Sequence, residues 1–94
     1  MMSQFPTNFS KVKQKDINKE ILRAAIIGEL DTVNFYEQMA ALSTSDDIRK
    51  VLLDIAKEEK THVGEFQTLL LREDKEQAQE LEEGKKEVKE ITGK

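Results

Sequence analysis

Two rows of residues at alternating four- and three-residue steps constrain this chain most. The first is Leu22, Ile26, Glu29, Val33, Tyr36 and Ala40. The second is Ile48, Leu52, Ile55, Glu59, His62, Phe66 and Leu69. Such alternation keeps side chains on one face of an α-helix, whereas a strand repeats every two residues. Each row therefore predicts a helix with a seam to bury. Between them STSDD, Ser43 to Asp47, carries cap chemistry. Ser45 is placed to cap the second helix, with Asp46 and Asp47 in its first turn at the positive end of the dipole. The pattern predicts a first helix from Ile17 to Leu42, with Asp16 as N-cap, and a second ending near Arg72.

The seams are apolar except at Glu29, Glu59 and His62. A carboxylate on a face to be buried is costly without a partner. A short connection makes the helices antiparallel neighbours. With Thr44 at the turn, Glu29 lies fifteen residues before it and Glu59 fifteen after. At 1.5 Å rise per residue both sit about 22 Å from the turn. His62 is one turn from Glu59 on the same face. The spacing thus brings two carboxylates and an imidazole together from facing helices.

Composition narrows what such a cluster does. Ninety-four residues form one small domain, whose core needs a disulfide, a metal or a partner subunit. With no cysteine, disulfides and thiolate sites are excluded. The formal charge of −4 mixes both signs and leaves no basic footprint for nucleic acid. No apolar run approaches the ~20 residues that span a bilayer, so no membrane role is expected. MMSQFPTNFSKVKQK lacks the apolar core of a secretory signal, which makes the cytoplasm the expected location.

Thirteen of the 94 residues are Glu, so a Glu three residues before a His is weak by itself. A lone His on an apolar face is also more often a hydrogen-bonded core residue. Two carboxylates at matched levels shift the balance to a metal site. Carboxylate and imidazole suit iron or manganese better than calcium, which prefers oxygen alone. A ferritin-like di-iron site takes a Glu from each of two helices and Glu-x-x-His from each of two others. This chain carries half of that set, and two copies about a two-fold axis would complete it.

Ile26 to Met39, IIGELDTVNFYEQM, and Val51 to His62, VLLDIAKEEKTH, resemble the encapsulated ferritins. These are two-helix half-ferritin relatives of rubrerythrin, carried as cargo in encapsulin nanocompartments. The resemblance runs from about Asp16 to Leu81 and rests on E-L-x-x-x-x-x-Y (Glu29 to Tyr36) and E-E-K-x-H (Glu58 to His62). It implies a ferroxidase that oxidises Fe(II) to Fe(III) with dioxygen at a di-iron centre between subunits, for iron storage. It also implies a homodimer, an annular decamer and an encapsulin shell protein as partner. The iron ligands it implies are Glu29, Glu59 and His62, with Tyr36 near the metal.

Two departures stand out. Some members place acids on both sides of the first ligand as an outer iron site. Here Gly28 precedes Glu29, and Asp31 is the nearest acid after it. Cargo members end in a targeting peptide or are fused to the shell protein. KEVKEITGK resembles neither, so the expectations are a truncated chain or a domain cut from a fusion.

Other residues carry lesser expectations. Glu58, four residues before His62, can accept the second imidazole N–H, although a solvated glutamate is the commoner state. Gly28 and Gly64 each cost about 1 kcal/mol inside a helix and point to close approach. The expected architecture is all-α: an irregular arm over 1–15, a helical hairpin over 16–73, and a short C-terminal helix and tail over 74–94. Gly84 is expected to interrupt the last part, leaving room for a fourth helix. The hairpin is expected to dimerise into a ferritin-like four-helix bundle. Two other functions fit the same residues: a rubrerythrin-like di-iron peroxidase, and a structural oligomerisation module held by metal.

Overall fold

Ser45 sets the turn on which the fold is built. Its Oγ accepts from the backbone N–H of Ile48 at 3.3 Å and starts the second helix. Arg49 closes the other side of the turn. Its Nη2 donates to the carbonyl of Ser43 at 2.7 Å and its Nε to that of Ala40 at 3.4 Å. These carbonyls lie at the end of the first helix, where the helix itself leaves carbonyls unpaired, and that of Ala40 also accepts from the N–H of Ser43 at 3.3 Å. In the computed structural model, which describes residues 8–94, α1 spans Ile17–Leu42 and α2 spans Asp46–Glu73. Both agree with the expected helices to within a residue or so.

The arm differs in detail. From residue 8 it forms two single 3-10 turns, Phe9–Lys11 and Gln14–Asp16. Phe5, expected in the same arm, lies outside the described residues. Asp16 holds the N-cap position of α1, but its side chain makes no cap bond. It pairs with Lys19 at 3.4 Å instead.

The third helix is longer than expected. α3 spans Lys75–Thr92 without a break at Gly84. A Cβ on Gly84 would meet nothing within 4 Å, so no packing demand explains the glycine. Its neighbours are mostly Glu and Lys, good helix formers that outweigh one unfavourable residue. Gly93, at φ 76°, ends α3 in the left-handed conformation that glycine adopts freely. No strand occurs among the described residues.

Buried positions on the hairpin are small or few: Ala24, Gly28, Val33 and Ala40 on α1, Ala56 and Leu70 on α2. α3 has none. Of the seam positions only Val33 and Ala40 are buried, most are half-buried, and two are exposed outright, Ile48 at 56% and Leu69 at 45%. Two helices cover each other along a single line, so the edges of their shared seam stay open. The Cα radius of gyration is 16.6 Å, against about 12 Å for a compact domain of this length. No helix among the described residues is long and apolar enough to cross a membrane.

Candidate metal centre

Glu29 stands on α1, and Glu59 and His62 stand one turn apart on α2. The hairpin brings all three together. Each offers one ligand atom, and these atoms lie within 4.8 Å of one another. The imidazole Nδ1 of His62 is 3.3 Å from Glu59 Oε2 and 3.5 Å from Glu29 Oε2. The glutamate side chains are 20% and 19% exposed and that of His62 is 44% exposed. The group therefore has a covered floor of carboxylates and an open edge at the imidazole.

Its hydrogen bonding is incomplete. Among the described residues Glu29 Oε2 is buried and finds no hydrogen-bond partner. A single N–H at Nδ1 cannot serve both carboxylates well, and Glu59 takes the shorter contact. Among the described residues neither glutamate pairs with a Lys or Arg. Lys60, next in sequence to Glu59, is drawn to Glu37 at 3.0 Å instead. A buried carboxylate oxygen without a hydrogen bond is rare and unfavourable. Two carboxylates and an imidazole at this separation suit a divalent cation, which would supply the missing positive charge.

The remaining expected residues lie around this group rather than in it. Tyr36 is half-buried, with its ring 5.5 Å from that of Phe35. Asp31 is half-buried, two residues along α1 from Glu29. Glu58 is exposed and makes none of the contacts to His62 Nδ1. Gly28 is buried, in keeping with close approach. Gly64 is exposed with open space where its Cβ would be, so no neighbour within the chain demands it.

A family model described as rubrerythrin matches residues 20–93. The chain belongs to the rubrerythrin family. Within that family it is similar to the encapsulated ferritins. The crystal structure of the encapsulated ferritin domain from Pyrococcus furiosus is 53% identical, with a TM-score of 0.85, over 100% of this chain and 98% of that one. A ferritin-like–encapsulin shell fusion protein from Pyrococcus furiosus is 56% identical over 95 residues, covering 99% of this chain and 28% of the fusion protein. Uncharacterized protein YhjR from Bacillus subtilis is 40% identical over 48 residues, 51% of this chain and 33% of that protein. The chain thus spans a third or less of the length of these curated relatives. The likeness expected from E-L-x-x-x-x-x-Y and E-E-K-x-H is borne out over nearly the whole chain, as is the all-α fold.

Two residues outside the expected set organise the far end of the rubrerythrin-family hairpin. Asp74 Oδ1 accepts from the N–H of Gln77 at 3.0 Å and caps α3. Its Oδ2 accepts from Arg23 on α1 at 2.7 Å. The Gln77 N–H, and then Arg23, hold the Asp74 carboxyl below its ordinary value of 3.8, with partial burial opposing them. The sequence signal was present, since D-x-x-Q from Asp74 to Gln77 resembles a capping box. Nothing in the sequence pairs Asp74 with Arg23, 51 positions away.

Proposed function

We propose that this chain is a ferroxidase whose di-iron site is shared between two copies, and that it serves iron storage inside an encapsulin compartment. The observation that carries the reading is the orphaned Glu29 Oε2 beside Glu59 and His62. A second copy about a two-fold axis would bring four carboxylates and two histidines together and build a four-helix bundle. In this reading Glu29, Glu59 and His62 are both iron ligands and catalytic residues. The implied annular decamer rests on the resemblance, and the shell partner on the fused relative's description.

Fe(II) is the substrate. Two Fe(II) each give up one electron, and dioxygen takes both with two protons to leave as hydrogen peroxide. The chain's own residues do the rest. Glu29 and Glu59 supply hard anionic oxygens, which favour Fe(III) over Fe(II) and lower the barrier to electron loss. His62 ligates as the neutral imidazole, so loading releases any proton it carries. Glu59, within 3.3 Å of Nδ1, orients the ring beforehand. Tyr36 and Asp31 are secondary positions near the site, Tyr36 for redox or iron transit and Asp31 for iron uptake. Glu58, being exposed, acts at most on His62's outer side. An open ring cannot retain a mineral, so storage falls to the surrounding shell.

The test is Fe(II) titration of metal-free protein, followed by absorbance and by sizing. The expected result is one iron per chain, growth of the particle on loading, and loss of oxidation in Glu29→Ala, Glu59→Ala and His62→Ala. Unchanged stoichiometry and rate in all three would remove the site. Faster oxidation with hydrogen peroxide than with dioxygen would favour the peroxidase. Metal-dependent assembly without turnover would leave a structural module.

A further inference from the structure

A single residue joins α2 to α3. α2 ends at Glu73 and α3 begins at Lys75, with Asp74 between them at φ −133° and ψ 89°. So short a joint leaves few dihedrals to set the direction of α3. Packing adds little, because α3 buries no residue. The polar contacts of Asp74 are what remain. Its backbone N–H donates to the carbonyl of Leu70 at 2.9 Å and finishes α2. Its Oδ1 caps α3 through Gln77. Its Oδ2 receives Arg23 Nη2, at 2.7 Å, from α1. One residue thus ties the ends of three helices together.

The pair is asymmetric. The Asp74 side chain is 12% exposed and that of Arg23 47%. Lys19, one turn before Arg23 on α1, adds attraction to the same carboxylate. The acid is therefore enclosed while its cation is reachable by solvent and salt. α3 carries Leu81, Val88 and Ile91 exposed, so the angle at this joint decides where that apolar stripe is presented.

We propose that the Arg23–Asp74 pair is a latch that fixes the direction in which α3 leaves the hairpin, and that breaking it lets α3 swing about Asp74 while remaining helical. The inference does not rest on iron chemistry. Asp74 is fifteen residues from Glu59, about 22 Å along α2.

The test separates the latch from the cap. Asp74→Asn keeps a side-chain oxygen to cap α3 and loses the charge pair. Arg23→Gln removes the other partner, and Arg23→Lys keeps the charge. The chain has no cysteine, so Lys57→Cys on α2 and Glu83→Cys on α3, both exposed, accept two nitroxide labels. Labelled chain is diluted in unlabelled chain, and electron–electron dipolar coupling reads the distance within one copy. The expected result is a narrow distribution for the parent and for Arg23→Lys. Asp74→Asn and Arg23→Gln should at least double its width, with helix content by circular dichroism unchanged. Superimposable distributions in all four proteins would overturn the latch. So would loss of α3 helicity in Asp74→Asn, which would make Asp74 a cap alone.

Discussion

Glu29 holds a carboxylate oxygen inside the hairpin with no hydrogen-bond partner. Such a group costs about 1–3 kcal/mol, a penalty that a bound cation would relieve if the proposed site is a metal site. Glu29→Gln removes the charge and keeps the shape. Its two effects should oppose each other. The metal-free variant should be more stable than the parent by about 1 kcal/mol in a urea melt, while iron stoichiometry falls. A less stable metal-free variant would mean that Glu29 is already satisfied without metal. The same residue shows why the cluster was legible in sequence. Glu29, Glu59 and His62 break an apolar row, and matched distances from the turn place them opposite one another. Ile48 and Leu69 continue that row and yet are exposed. Periodicity gives the direction a side chain faces, and what covers it depends on atoms beyond its own helix.

Helix ends show the same division. Ser45 caps α2 as its residue type and position predict. Ser45→Ala should cost about 1 kcal/mol and lower the melting temperature by roughly 4–8 °C in a domain of this size, measured calorimetrically on metal-free protein. Arg49, which holds the end of α1, was not legible, because its partners are backbone carbonyls across the turn. Gly84 misled for a related reason: one glycine is a local penalty, whereas a helix is decided over several turns. Asp74 gives a pH dependence with a definite sign. Its folded carboxyl lies below 3.8, chiefly through the Gln77 N–H and then Arg23, with Lys19 contributing less. The stability it adds is complete above that ordinary value and is lost as pH falls through the lowered one. An α3 amide signal followed by NMR should shift in that acid range as the Arg23 pair is lost, with α3 still helical. In Asp74→Asn the step should be missing; a step of equal size in both proteins would assign it to another group.

The whole molecule has more surface than its mass warrants. It exposes 7437 Å² at 10.8 kDa, against about 5,500 Å² for a compact monomer. The excess, about 1,900 Å², is more than the ~800 Å² that each partner gives to a standard interface. Part of it lies beside the candidate metal group. Val51, Ile55, His62 and Leu69 follow steps of four, seven and seven, so they share one edge of α2. Val51 is 60% exposed there, on the side where His62 is open. If a second copy completes the site, it sits on this edge, and the edge becomes a test of sharing that leaves every ligand in place. Leu69→Glu sets a charge seven residues from His62, where it would be desolvated under the second copy. The metal-free chain should keep its helix content, since Leu69 is already 45% exposed. On loading with Fe(II) it should fail to grow by light scattering, and oxidation should fall at least tenfold. A site contained in one chain predicts the reverse, with full oxidation by a smaller particle, because Glu29, Glu59 and His62 are untouched.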